Sequence, residues 1–175
     1  MAPLTILSRL QHRHLLTTRL IIANEDGWLR ERSENANAGG KRNVGARGSK
    51  SIRIGDDKKD RQYRSLLSFD TSSLPQGAVI LSAQLELTRG GNTGQNPFNT
   101  HGRLYIDIKR GSFANSNALQ NEDFEAPADA SKVGWIDNQG GSGTTYRIDL
   151  SNEALAFINN NGRTQLRLSF ERDDN

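Results

Sequence analysis

Residues 51–75 read SIRIGDDKKDRQYRSLLSFDTSSLP, and this stretch decides the fold. A turn of mixed charge at residues 56–61 leads into a segment whose side chains alternate between two faces. The more apolar face carries Tyr63, Ser65, Leu67 and Phe69, and the opposite face carries Gln62, Arg64, Leu66 and Ser68. A period of two is the pattern of a half-buried β-strand. The stretch therefore predicts a strand that joins the core to a charged turn.

Similar alternation recurs along the chain. Apolar residues occupy every second position in further segments near residues 81–87, 104–108, 146–150 and 166–170. Residues 151–160 instead show helical spacing, with Ser151 as an N-cap and Gly162 as a stop. These patterns predict an all-β protein, a two-sheet antiparallel β-sandwich that is jelly-roll-like, with one short helix near residues 151–160.

The stretch from residue 111 to residue 143 lacks a sustained period and is interpreted as mostly irregular. It contains three large aromatic residues, Phe113, Phe124 and Trp135. Large aromatic side chains contribute much of the buried area of a core. We therefore expect these three residues to anchor the irregular segment on the sandwich.

Composition limits the classes of function. A chain of 175 residues with 34% hydrophobic residues and 17 glycines fits one antiparallel β domain, because half of each strand faces water. Both charge signs are abundant and the net charge is +3, which does not indicate a dedicated nucleic-acid binder. The absence of cysteine excludes disulfides, thiol catalysis and cysteine-based zinc sites. No apolar run is long enough to predict membrane insertion.

The first residues differ from the rest of the chain. Residues 1–23 are basic and rich in leucine and threonine, and Leu7, Leu10, His14 and Leu15 could share a helical face. They are interpreted as an N-terminal tail of uncertain origin, either flexible or forming a short helix. Basic residues interrupt any signal-peptide core. The predicted domain therefore covers residues 24–175.

Five segments in register carry a family resemblance. They read DGWLRERSEN (26–35), GDDKKDRQYRSLLSFDTSSLP (55–75), NPFNTHGRLYIDIKRGSF (96–113), INNNGRTQLRLSF (158–170) and RDDN (172–175). Over residues 24–175 the chain resembles the DNRLRE domain, also called the disaggregatase-related domain. Domains of that family usually continue past the RDDN segment. The resemblance therefore predicts a sandwich that lacks its last strand or strands.

The resemblance implies a non-catalytic β-sandwich of a secreted or cell-surface protein. Such domains often lie beside polysaccharide lyases, glycosidases or adhesive repeats, and some are similar to a carbohydrate-binding module family associated with alginate. We therefore expect an extracellular or cell-surface location. The expected partners are an acidic polysaccharide and a neighbouring catalytic domain or a strand-donating chain.

Basic residues are the best candidates for contacting such a polymer. Arginine binds carboxylates through paired, charge-assisted hydrogen bonds, and lysine binds them as a point charge. The candidates for an aromatic sugar contact are Trp28, Tyr63, Tyr105, Trp135 and Tyr146, and the alternative is that these rings belong to the core. Tyr105 points opposite to Leu104 and Ile106, which makes it the preferred aromatic contact. The predicted ligand-binding residues are Lys41, Arg42, Lys50, Arg53, Arg64, Arg89, Arg103, Tyr105 and Lys109. The alternative is a solvated surface with scattered ion pairs.

Acidic residues in the central turn suggest a cation site. Asp56, Asp57 and Asp60 offer the oxygen ligands that calcium prefers, although the spacing does not match an EF-hand loop. The alternative is a turn whose aspartates cap backbone amides. The sequence thus allows a structural calcium ion and requires no cofactor.

Catalytic motifs are lacking in the sequence. There is no nucleophile elbow, phosphate-binding loop or zinc-protease motif, and His101 lies in a segment that reads as a turn. The predicted function is therefore a non-catalytic carbohydrate-binding module for an acidic polysaccharide such as alginate. The first alternative is a structural or adhesive module completed by a partner strand. A polysaccharide lyase or hydrolase is the weaker alternative.

Overall fold

Strands are the main regular elements of the described chain, which comprises residues 2–19, 21–22, 24–45, 52–137 and 140–172 of the computed structural model. The strands are β1 (Leu4–Leu10), β2 (Arg13–Arg19), β3 (Gly27–Glu31), β4 (Gly39–Val44), β5 (Gly55–Asp56), β6 (Gln62–Asp70), β7 (Val79–Thr88), β8 (Leu104–Arg110), β9 (Ala130–Ile136), β10 (Thr145–Asp149) and β11 (Arg163–Phe170).

The strands form two antiparallel sheets. The smaller sheet has the order β10-β7-β1-β2, and the larger has the order β4-β3-β6-β11-β8-β9, with β5 paired to the start of β6. The chain crosses between the sheets from β2 to β3, β6 to β7, β7 to β8, β9 to β10 and β10 to β11. This alternation fits a jelly-roll-like connection. The predicted all-β, two-sheet antiparallel sandwich is confirmed.

The core lies between the sheets. In the larger sheet, Leu166 pairs with Leu67 on one side and Ile108 on the other, and all three side chains are fully buried. Leu85 faces them from the smaller sheet and belongs to the same cluster. Burying each such side chain contributes roughly 1.5–3 kcal/mol. The alternation in β6 and β11 therefore determines which face of the larger sheet closes the sandwich.

The prediction of a tail or short helix at the N-terminus is wrong for β1 and β2. β1 lies between β7 and β2 in the smaller sheet, and Leu4 and Ile6 are fully buried in the main core. Leu7 lies on the outer face instead, opposite Leu16 of β2. A short leucine-rich run fits helical and strand periods alike, so periodicity alone could not distinguish them. Packing of Leu4 and Ile6 selects the strand.

A second cluster covers the outer face of the larger sheet. Leu29 and Leu66 point outward from β3 and β6, and they pack with Phe113, Leu119 and Phe124. β6 is therefore buried on both faces, so the prediction of a half-buried strand is wrong. We call residues 111–129 the outer layer. The expected anchoring by Phe113 and Phe124 is confirmed, although they anchor this layer on the outside of the sheet.

Polar side chains hold the outer layer in place. The Gln165 side chain accepts a hydrogen bond from the Phe113 backbone N–H at 2.9 Å and donates one to the Asn117 carbonyl at 3.2 Å. Buried Asp123 accepts from the backbone N–H groups of Ala114 and Gln120 at 3.0 and 2.7 Å. Burial raises the pKa of Asp123, although these two hydrogen bonds act to lower it. Backbone donors of an irregular segment are thus satisfied without a strand ladder.

Two short α-helices and one 3-10 helix complete the described elements. They are α1 (Pro97–His101), a 3-10 helix (Asn121–Phe124) and α2 (Asn152–Leu155). The predicted helix near residues 151–160 is present but shorter, and it follows Ser151 as expected. α1 was not predicted, although the Asn96 side chain caps it and Pro97 suits a first turn. No helix in the described residues is long and apolar enough to span a membrane.

Candidate functional site

An exposed aromatic pair lies on the outer face of the larger sheet. Tyr105 of β8 is directly opposite Trp135 of the edge strand β9. Their neighbours Leu104 and Ile136 are buried in the core, so the two aromatic side chains point outward. Trp135 is 52% exposed and Tyr105 is partly exposed. The predicted role of Trp135 as a core anchor is therefore wrong, because strand alternation directs it to the surface.

Two cationic side chains lie against this pair. The Arg103 guanidinium carbon is 5.8 Å from the centroid of the Trp135 ring, and the Lys132 ammonium is 4.8 Å from that of Tyr105. Both distances allow a cation–π attraction. We call Arg103, Tyr105, Lys132 and Trp135 the aromatic platform. It combines an apolar surface with positive charge.

The two cations differ in their partners. Arg103 Nε donates to Asp137 Oδ1 at 2.7 Å, and hydrogen bonds to Asp137 and Tyr105 raise the pKa of Arg103. Lys132 is exposed and has no carboxylate partner within the described residues. The charge of Lys132 is thus available for a ligand, whereas Arg103 already interacts with a carboxylate.

A β-bulge aims Lys132 at the platform. The pairing of β8 with β9 shifts register between Ile106 and Ile108, and Lys132 adopts a φ of 57°. The Lys132 backbone N–H donates to Asp107 Oδ1 at 3.1 Å, while Asp107 Oδ2 accepts from buried Arg167 at 3.0 Å. Bulges often re-aim side chains near functional sites. The strained conformation is therefore held by a buried ion pair.

An open groove of about 330 Å³ adjoins the platform. It runs between the edge strands β9 and β10, and its lining includes Trp135, Asp137, Thr144, Tyr146 and Arg147. Arg147 Nε donates to Glu86 Oε2 at 3.0 Å on the neighbouring strand β7. The groove thus extends the exposed surface of Trp135 around the edge of the sandwich.

The predicted basic residues of the described chain do not all lie on one surface. Lys41 and Arg42 are exposed on edge strand β4, but as neighbours in a strand they point to opposite faces. Neither has an ion-pair partner in the described part of the chain. Lys50 lies outside the described residues. Of the predicted set, Arg103 and Tyr105 belong to the aromatic platform.

Four other predicted contacts have structural partners. Arg53 is exposed and lies 5.4 Å from the Trp28 ring centroid. Arg89 donates to the Gly140 carbonyl at 2.7 Å, and Lys109 Nζ donates to Asp129 Oδ1 at 2.8 Å. Arg64 donates to the Phe124 carbonyl at 2.7 Å and lies 4.1 Å from that ring. The prediction of Arg64 as a surface contact is wrong, because the outer layer covers it.

The turn at residues 55–61 is organised by ion pairs. Asp56 Oδ2 lies 3.1 Å from His101 Nε2, and Asp57 Oδ2 accepts from Arg61 Nε at 3.0 Å. Asp60 is exposed. Within the described residues no group of three His, Cys, Asp or Glu is arranged to hold a metal ion. The structural calcium ion at Asp56, Asp57 and Asp60 stays a prediction, and these partners favour the alternative of a capped turn.

Asp57 should make stability depend on pH. Burial acts to raise its pKa, but hydrogen bonds from the Arg61 side chain and the Lys59 backbone N–H outweigh burial and hold the pKa below its ordinary value of 3.8. Because the pKa of Asp57 is lower in the folded protein, the ionised carboxylate stabilises the fold at pH values above the ordinary pKa. This stabilisation is lost as the pH falls through the folded-state pKa. We expect Asp57→Asn to lower the free energy of unfolding at pH 7 by about 1–2 kcal/mol.

Urea denaturation between pH 7 and pH 2 measures this dependence. The deficit of Asp57→Asn should shrink below about pH 4, because the wild-type carboxylate becomes protonated there. Asp60→Asn in the same turn is the matched control, and its unfolding free energy should stay within about 0.5 kcal/mol of wild type. A deficit that stays constant over the whole pH range would contradict a role for the Asp57 charge.

Sequence reasoning missed Lys132 as a site residue and preferred Tyr105 to Trp135 as the aromatic contact. The bulge in β9 breaks the period of two, so residues 130–136 do not show the alternation that reveals a strand. The pairing of β9 with β8 is a long-range contact that single-sequence patterns do not specify. A weak signal was present in Ala130, Val133 and Ile136, which face the core.

Comparisons with protein-family models and with curated proteins find no match for this chain. The resemblance to the DNRLRE domain therefore stays a prediction. The geometry described above is the basis for a functional proposal.

Proposed function

We propose that this chain is a non-catalytic carbohydrate-binding module that holds an acidic polysaccharide, such as alginate, on the aromatic platform. One observation carries the proposal: Lys132 lies over Tyr105, beside the exposed ring of Trp135. An exposed ring, a partly exposed ring and a cation with no carboxylate partner in the described residues suit a ligand that is apolar on its ring faces and carries carboxylates.

Each part of the platform would recognise one feature of a uronate. Aromatic rings bury the apolar C–H face of a sugar and leave its hydroxyl groups in water. Lys132 would attract the carboxylate as a point charge, and Arg103 would add directional hydrogen bonds after exchanging its contact with Asp137. A neutral glucan could use the rings but would gain nothing from the cations. The platform thus favours acidic polymers over neutral ones.

The groove between β9 and β10 supports a polymeric ligand. It begins at Trp135 and continues to Arg147, so a chain bound at the platform can extend along it. Arg147 is largely exposed and forms its ion pair with Glu86 at the surface. Exposed ion pairs contribute little stability, and exchanging Glu86 for a ligand carboxylate therefore costs little. A linear oligomer should bind more tightly than a single sugar.

Retention on immobilised polymers tests the proposal. We expect retention on alginate and pectin at low salt, weakening at high salt because exposed charges are screened. Retention on a neutral glucan should be weaker and should not depend on salt. Retention on the neutral glucan equal to that on alginate at both salt concentrations would contradict recognition of acidic groups. A parallel product assay tests the non-catalytic part. New unsaturated or reducing ends would show a lyase or hydrolase instead.

A structural or adhesive module completed by a partner strand is the second candidate. The observation that favours it is the exposure of Leu15 and Leu16 on the edge strand β2. An open edge can accept a strand from another chain. Either role would place the protein outside the cell or on its surface, as the resemblance predicts.

A further inference from the structure

Four exposed apolar side chains lie on three neighbouring strands of the smaller sheet. Five large hydrophobic residues of the described chain are exposed, and four of them are Leu10, Leu15, Leu16 and Val79. Leu10 ends β1, Leu15 and Leu16 lie on β2, and Val79 pairs with Arg9 of β1. Leu16 is 67% exposed. Leu15 and Leu16 are neighbours in β2 and point to opposite faces, so an added strand could cover an apolar side chain on each face.

The edge strand β2 is suited to accept another strand. β2 pairs with β1 on one side, and no strand of the described chain pairs with its other side. Its seven residues contain no proline and no bulge within the pairing to β1. Short length, proline and bulges are common devices that prevent edge pairing. β2 lacks these three devices, and its outer row of backbone donors and acceptors is not paired with any strand of the described chain.

Charge indicates what kind of strand fits. Residues 2–22 contain no aspartate or glutamate, while Arg9, Arg13 and Arg19 lie on β1 and β2. The Arg19 Nε atom is buried and has no hydrogen-bond acceptor in the described part of the chain. A buried donor without an acceptor is costly, and a carboxylate would satisfy it. The edge therefore complements an acidic segment.

We propose that β2 binds an extended acidic segment of another protein by β-strand addition. Arg13 and Arg19 lie at the two ends of β2 and, by alternation, share a face with Leu15, while Leu16 points to the other face. In an antiparallel partner strand, acidic residues would lie opposite both arginines. Apolar residues would lie opposite Leu15 and Leu16. The matching seven-residue pattern has acidic ends and two adjacent apolar residues near its centre.

A second copy of this chain fits the edge less well. Symmetric antiparallel pairing about Leu16 would place Arg13 of each copy opposite Arg19 of the other, at both ends of the pair. Like charges that face each other across paired strands are destabilising. The proposal therefore commits to a heterologous acidic partner.

Peptide binding to the full chain tests the proposal. The probe peptide carries Glu-Thr-Thr-Val-Val-Thr-Glu, and the control peptide has lysine in place of both glutamates. Fluorescence anisotropy of labelled peptides should show about tenfold weaker binding of the control, because both charge pairs become repulsive. Equal affinity of the two peptides would overturn the proposal. A concentration-dependent dimer of the chain that excludes the probe would assign the edge to a second copy instead.

Charge reversal provides the matched variant. Arg13→Glu combined with Arg19→Glu should exchange the preference, so that the lysine peptide binds about tenfold better than the glutamate peptide. Such an exchange cannot arise from unfolding, since a misfolded edge would lose both peptides. Loss of both peptides in a variant with a native thermal transition would contradict the assigned register. Trp135→Ala should leave peptide binding unchanged. A failure of peptide binding is therefore distinguishable from a failure of polysaccharide binding.

Discussion

Trp135→Ala is expected to weaken alginate binding about tenfold or more while leaving the free energy of unfolding within about 0.5 kcal/mol of wild type. The ring is 52% exposed, and its outward direction on an edge strand keeps it out of the main core. Aromatic residues at the centre of a binding surface often contribute 2 kcal/mol or more, and ~1.4 kcal/mol corresponds to a tenfold change. Binding and stability should therefore respond independently.

Affinity electrophoresis in alginate gels and urea denaturation measure the two effects of this substitution.

Lys132→Gln should also weaken binding at low salt and should reduce its salt dependence, because one attractive charge is removed. The matched control is Lys41→Gln, which removes an exposed lysine from the opposite edge strand of the same sheet. An equal loss in Lys41→Gln and Lys132→Gln would show that dispersed charge, and not the platform, binds the polymer.

Phe124→Ala is expected to lower the free energy of unfolding by about 3–5 kcal/mol. The ring is fully buried in the outer layer against Leu29 and Leu66. Its removal leaves a cavity and takes away the ring that Arg64 contacts at 4.1 Å. Arg64 and Arg167 also donate to the Phe124 backbone carbonyl, at 2.7 and 3.2 Å. Loss of the ring should therefore loosen a hydrogen-bonded layer as well as an apolar contact.

Urea denaturation at neutral pH measures the change in stability caused by Phe124→Ala. Glu122→Ala lies in the same 3-10 helix and removes an exposed side chain, so its free energy of unfolding should stay within about 0.5 kcal/mol of wild type. Phe124→Leu should fall between the two variants, because it leaves a smaller cavity. A loss below about 1 kcal/mol in Phe124→Ala would contradict a closed outer layer.

Much of the sandwich could be predicted from residue patterns. Alternation in β6 and β11 places Leu67, Phe69 and Leu166 in the core because a strand directs every second side chain to one face. The N-terminal strand β1 could not be assigned in the same way. Its leucines also fit a helical face, and its pairing with β7 joins residues that are distant in sequence. Such pairing depends on the assembled sheet.

The candidate site was predictable in part. Tyr105 and Arg103 were correctly placed on the surface because the neighbouring apolar positions of β8 face inward. Trp135 was expected to anchor the core because a bulge disrupts the pattern of β9, and Arg64 was misplaced because a distant segment covers it. Both errors concern contacts made between elements that are separated in sequence.

The sequence by itself determined the all-β class, the main strands and the side of each regular strand that faces the core. These properties follow from a local period of two, which the chain encodes residue by residue. Tertiary structure alone decided which exposed groups meet. It brought Tyr105, Lys132 and Trp135 together, placed Arg64 against the ring and carbonyl of Phe124, and left Leu16 at an open edge. The physical reason is that register, bulges and coverage by the outer layer depend on contacts between distant strands.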